Sequence, residues 1–243
     1  SGCATDMSGK SKAGMGIASG DINSDGNVDL MVCNLWRETD SLFLLDGQGN
    51  FRDGTIRSGL AMTPKAFTRF GLGFHDFDND GELDLYEANG RVAQLETDWG
   101  DDPYGEPNLL FRGVGDGKFK EVEPRAGTID TANLSSRGAA FGDLDNDGGL
   151  DIVVINRDGP PQILRNIVAD RGHWASIRLL DQNGREALGA TVRITAGDRT
   201  WTMRSHTDGS YCAASDSRVH VGLGEAAAID GLSVIWPDGE VET

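Results

Sequence analysis

The chain has 243 residues, a formal net charge of −17 at pH 7, 38% hydrophobic residues, and 34 glycines against 7 prolines. That length buries the core of one large domain or two small ones, and the charge excludes nucleic acid and anionic membrane surfaces, which call for Lys and Arg. Glycine at about twice its usual share, beside acidic clusters instead of in a low-complexity tract, calls for tight turns and many short strands.

No apolar run reaches the roughly 18–20 residues of a membrane span, and no signal peptide opens the chain. The start, Ser1-Gly2-Cys3-Ala4, has the character of a processed terminus or the middle of a longer protein. Cys3, Cys33 and Cys212 are too few for a disulfide framework. Cys33, in the run Leu30-Met31-Val32-Cys33, is expected to be a buried thiol, while a Cys3–Cys212 pair stays open.

The first element is the strand Gly16-Ile17-Ala18-Ser19-Gly20, which runs into an acidic loop, Asp21–Asp29, and then the strand Asp29–Asn34. Leu42-Phe43 and Gly47-Gln48-Gly49-Asn50-Phe51 follow as a β-hairpin. The same order returns with Gly71-Leu72-Gly73-Phe74-His75, the loop Asp76–Asp84, the strand Asp84–Asn89, and a hairpin from Leu110-Phe111 to Phe119. It returns again with Gly138-Ala139-Ala140-Phe141-Gly142, the loop Asp143–Asp151 and the strand Asp151–Asn156. This third repeat has only half its hairpin, Ile163-Leu164-Arg165-Asn166. An Asn closes each second strand at one offset: Asn34, Asn89 and Asn156. From about Gly172 alternating strands without acidic loops take over, among them Ala190–Thr195 and Leu232–Trp236. The expectation is an all-β chain: about three β-propeller blades from a larger ring over residues 1–171, then a small antiparallel β-domain over 172–243. Propellers have about 4–8 blades, so further repeats or another chain would complete the ring.

In each loop, oxygens at positions 1, 3, 5 and 9 converge if the backbone curls around a point, and Gly at position 6 permits the curl. The candidate side-chain ligands are Asp21, Asn23, Asp25 and Asp29; Asp76, Asp78, Asp80 and Asp84; and Asp143, Asp145, Asp147 and Asp151. Asn27, Glu82 and Gly149, at position 7, would offer their carbonyls. Calcium takes about 6–8 oxygens and suits such a set better than magnesium, which demands a strict octahedron. Three Ca²⁺ would add +6 and bring −17 to −11. An EF-hand needs a bidentate Glu at position 12, and position 12 here is Val32, Glu87 and Val154.

These repeats resemble FG-GAP/VCBS repeats, the calcium-loop blades of integrin-α-like propellers. Arg185-Glu186-Ala187-Leu188-Gly189-Ala190, Gly222-Leu223-Gly224 and Trp236-Pro237-Asp238-Gly239 resemble the ASPIC/UnbV domain that follows such blades. The resemblance implies three Ca²⁺ sites, an extracellular, cell-surface or periplasmic place, and adhesion or binding of a protein or glycan without catalysis. Two other functions stay in view: a self-assembling subunit whose neighbouring copies complete its open repeats, and a lyase or hydrolase with a site on the propeller axis.

No catalytic motif stands out: there is no Gly-x-Ser-x-Gly elbow and no His-Glu-x-x-His helix. His75, His173, His206 and His220 show no ligand spacing, and His75 is expected to pack. The insertion Arg91–Pro107 holds Glu96, Asp98, Trp99, Asp101, Asp102 and Tyr104. Its aromatics either face a ligand or pack the loop onto its own blade.

Overall fold

Each acidic loop reverses the chain between two strands, so each repeat is an antiparallel sheet built in sequence order. In the computed structural model, which describes residues 3–6, 8–94, 101–128 and 132–243, there are five sheets. The first holds β1 (Gly14–Gly20), β2 (Asp29–Asn34), β3 (Ser41–Leu45) and β4 (Phe51–Asp53). The second holds β5 (Arg69–His75), β6 (Asp84–Asn89), β7 (Leu109–Gly113) and β8 (Phe119–Glu121). The third has three strands, β9 (Ser136–Gly142), β10 (Asp151–Asn156) and β11 (Gln162–Leu164), in keeping with its half hairpin. The hairpin turns close where the Gly-x-Gly signals stand: Gly47, Gly49, Gly115 and Gly117 all have positive φ.

The sheets stack face to face. Met31, Cys33, Leu42, Leu72, Phe74 and Leu85 fill the space between the first two, and Tyr86, Ala139, Phe141, Ile152 and Val154 lie between the second and third. Strand β6 is buried along its whole length because its sheet is covered on both sides. In β10, covered on one side, Ile152 and Val154 are buried while Ile155 is exposed. The inner strands β1, β5 and β9 run side by side. A Cβ on Gly16 would sit 1.9 Å from the Phe70 carbonyl oxygen, and one on Gly71 2.6 Å from the Ala139 nitrogen, so glycine is what lets these backbones approach.

The C-terminal part forms two further sheets from β12 (His173–Ile177), β13 (Thr191–Ala196), β14 (Arg199–Arg204), β15 (Val219–Gly224), β16 (Gly231–Ile235) and β17 (Val241–Glu242). One pairs β12 with β15, and the other has the order β14-β13-β16-β17 around Val192, Ile194 and Val234. Its loop from Asp208 to Cys212 reaches the repeats. Ser210 exchanges backbone hydrogen bonds with Ile17 of β1 at 2.7 and 3.3 Å. The Ser210 hydroxyl accepts the N–H groups of Leu72 on β5 (3.2 Å) and Ala139 on β9 (3.4 Å). A Cβ on Gly138 would meet the Tyr211 carbonyl oxygen at 3.0 Å, just as Gly16 and Gly71 meet the next inner strand. This loop lies across the inner strands, paired by its backbone with β1 and joined to β5 and β9 through the Ser210 hydroxyl. Cys3, Cys33 and Cys212 are all thiols, so the Cys3–Cys212 pair does not form here.

Candidate metal centres

The three loops repeat one backbone plan. The position-1 carboxylate (Asp21, Asp76, Asp143) accepts the N–H groups of positions 5 and 6, at 2.7 to 3.1 Å. The position-5 carboxylate (Asp25, Asp80, Asp147) accepts the N–H of position 7. The position-9 carboxylate takes one N–H from its own loop and one from the end of the third strand or, in the third repeat, from just beyond it: Asp29 from Ile22 and Leu45, Asp84 from Phe77 and Gly113, Asp151 from Leu144 and Asn166. Each position-9 Asp therefore also pins its loop to the hairpin behind it. Gly26, Gly81 and Gly148 hold the expected positive φ at position 6. Position 4 is left-handed as well, at Ser24, Asn79 and Asn146. That second bend was signalled only by Asn, which tolerates the region.

The loops differ in charge. In the second, carboxylate oxygens of Asp76, Asp78 and Asp84 lie within 4.8 Å of one another, and Asp78 Oδ1 is buried without a hydrogen-bond partner. Burial, opposed by donated N–H groups and reinforced by the neighbouring carboxylates, pushes Asp76 up to about 8 and Asp84 to about 7. Acids this close, with an orphaned oxygen among them, fit a hard divalent cation. Asp143, Asp145 and Asp147 of the third loop converge equally closely. In the first loop position 3 is the neutral Asn23, and no acidic trio there comes as close among the described residues. Asp29 is raised to about 6, chiefly by burial.

The C-terminal sheets rest on the second and third loops. Arg199 donates to the carbonyls of Asp80 (2.9 Å) and Gly81 (2.8 Å) and to Glu82 Oε1 (2.6 Å), and Trp201 Nε1 also donates to Gly81. Gly172 N–H and Gly224 N–H take the carbonyls of Asp78 and Asn79, each at 2.9 Å. At the third loop Arg218 donates to the Asp143 carbonyl and Asn146 Oδ1.

Between the inner strands and the C-terminal sheets, His75, His206 and His220 line one cavity of about 160 Å³ with Phe74, Phe141 and Trp201. Spacing in the sequence did not show this convergence, because the three imidazoles come from β5, a C-terminal loop and β15. His75 does pack, its ring centroid 4.4 Å from that of Phe141. Burial pushes His75 down to about 3 and His220 to about 4, so both rings are neutral. In the insertion, Glu96, Asp98 and Trp99 lie outside the described residues. Tyr104 packs under the Arg157 guanidinium, 4.4 Å from its ring centroid.

Stacked sheets of four, four and three strands, each with a nine-residue acidic loop between its first two strands, together with an antiparallel β-domain, define a propeller-type repeat protein. Residues 21–87 and 98–154 match the FG-GAP-like repeat model, and residues 180–243 match ASPIC and UnbV. The chain belongs to the FG-GAP-like repeat family and carries an ASPIC/UnbV domain. It is 30% identical over 244 residues to cartilage acidic protein 1 of Xenopus tropicalis, covering 95% of this chain and 34% of that protein. Cartilage acidic protein 1 of Mus musculus is 28% identical over 237 residues, covering 94% of this chain and 34% of that protein. The human protein of that name is 28% identical over 239 residues, covering 94% and 33% respectively. The chain spans about a third of the length of these curated relatives.

Proposed function

We propose that this chain is a calcium-stabilised interaction module without catalytic activity, working outside the cell or at its surface. Asp78 Oδ1, buried without a hydrogen-bond partner among the close carboxylates of Asp76, Asp78 and Asp84, carries the reading, because a divalent cation would satisfy that oxygen and offset the repulsion between the acids. The three loops would each hold one Ca²⁺ through positions 1, 3, 5 and 9 and the position-7 carbonyl. Residues 1–171 and 172–243 would form the two functional units, with a protein or glycan as ligand. Relatives named for cartilage support the extracellular place, and no helix among the described residues is long and apolar enough to cross a membrane. Calcium calorimetry on the chelator-stripped chain tests the reading. Three equivalents bound is the expected result, and none bound removes it.

This cavity favours a second reading, a small-ligand site between the inner strands and the C-terminal sheets, because three imidazoles from distant parts of the chain line it. Ligand-dependent shifts of the His75, His206 and His220 ring signals in an NMR screen of small aromatic compounds would support it. Unmoved rings across the screen would leave only the interaction module.

A further inference from the structure

The third strands of the repeats are placed in register by the loops themselves. Leu45, Gly113 and Asn166 each donate a backbone N–H to the position-9 Asp of their repeat, so Leu44, Arg112 and Arg165 are structural equivalents. Arg112 Nη2 bridges Asp78 Oδ2 (2.9 Å) and Asp80 Oδ2 (2.8 Å), the position-3 and position-5 carboxylates of the second loop. Arg165 pairs with Asp145 at position 3 of the third loop and lies 3.9 Å from Asp147 at position 5. The first repeat has neither partner, since position 3 is Asn23 and the hairpin offers Leu44. Arginine stands on the hairpin where position 3 is an acid, and leucine where it is an amide.

From this pairing we infer that Arg112 and Arg165 are built-in counter-cations that lower the calcium affinity of the second and third loops. The inference rests on the calcium reading above. The guanidinium holds the same two carboxylates that a metal ion would recruit, and it sits on the open side of the loop, where Arg112 is exposed. The ion has to loosen that bridge and then sits beside a fixed positive charge. A unit charge roughly 5–6 Å from a divalent ion in water-like surroundings weakens binding by roughly tenfold. Without metal the same guanidinium offsets the repulsion between the carboxylates and holds the loop in shape. Of the other cations nearby, Arg199 binds Glu82 and loop carbonyls, whereas Arg171 also pairs with a position-5 carboxylate, Asp147 Oδ1 at 3.2 Å, and stays on the third loop when Arg165 is replaced.

The test compares the full chain with its R112L and R165L single and double variants, leucine being what the first repeat carries. Calorimetry of the wild type comes first; if it binds no calcium, the calcium reading falls and this inference with it. Given wild-type binding, the double variant should tighten two of three equivalents by roughly tenfold, with the gain shrinking at high salt. Melting temperatures should move in opposite directions, up in calcium and down in chelator. Affinity that is unchanged or reduced in the variants, or melting shifts of one sign in both conditions, would overturn the counter-cation role while leaving calcium binding intact.

Discussion

Glu87 lies fully buried on β6 with neither carboxyl oxygen hydrogen-bonded, next to the ion pair between Asp40 and Arg69 (2.6 Å). Burial, and then the charge of Asp40, push the Glu87 carboxyl well above its ordinary range. A carboxyl with a raised folded-state pKa binds its proton more tightly in the folded chain, so it costs stability as pH rises above the unfolded value. Glu87→Gln keeps the shape and removes that cost. It should raise stability at neutral pH and flatten the decline that sets in as pH rises through the unfolded carboxyl's ordinary value, both read in denaturant titrations. A loss of stability would instead mean that Glu87 is ionised against Arg69. At the second loop, Asp80 organises the turn through the Glu82 N–H, whereas the Glu82 side chain pairs with Arg199, away from the loop's carboxylates. Asp80→Ala should therefore cost much more calcium affinity than Glu82→Ala, and equal losses in calorimetry would contradict the proposed ligand set.

At the scale of elements, the strands of the C-terminal part use the acidic loops as their floor. Gly222 of β15 lies against the second loop so closely that a Cβ would be 2.0 Å from Asp76 Oδ2 and 2.5 Å from the Asn79 Cα. Gly222→Ala should push β15 off the loop at a cost of about 1–3 kcal/mol, read as a lower melting temperature and faster proteolysis between Ile167 and Trp174. Gly231 of β16, where a Cβ would find only Thr195 at 3.9 Å, supplies the control. Comparable losses at both glycines would mean that the docking contributes nothing. The Asn that ends each second strand has a related task. Asn34, Asn89 and Asn156 donate their amides to the carbonyls of Thr39, Pro107 and Pro160, fastening the return to the third strand.

For the whole molecule, the charge of −17 and the three acidic loops are linked. Calcium that binds only the folded chain at ~100 times its Kd adds about 2.7 kcal/mol per independent site. Melts in calcium and in chelator should accordingly differ by many degrees, and identical melts would remove the stabilising role of the metal. The third repeat also leaves a face uncovered: Ile155, and Ile163 paired with Val153, are 51% and 63% exposed on the outer face of its sheet. Exposed apolar sheet faces invite association, while the net charge disfavours amorphous clumping. Sedimentation should show defined self-association of the 26.0 kDa chain that Ile163→Lys weakens. A monomer at every concentration would mean that the loop from Asp208 to Cys212 completes the repeats by itself.

The acidic loops, the repeat order and the Gly-x-Gly hairpins were legible in the residues because each depends on neighbours a few positions apart. Asp at position 1 must meet the N–H groups of positions 5 and 6, and glycine must stand where φ is positive. The strand β6, Asp84 to Asn89, was already legible as a strand, but its burial on both faces depended on two neighbouring sheets. What joins distant segments left no such pattern. Asp40, Arg69 and Glu87 meet from three places in the chain, Arg199 finds the Asp80 carbonyl 119 positions away, and Ser210 reaches three inner strands at once. Such contacts are chosen by how the sheets pack, not by local periodicity, so the tertiary structure alone decided where the C-terminal domain sits and which loops carry an arginine.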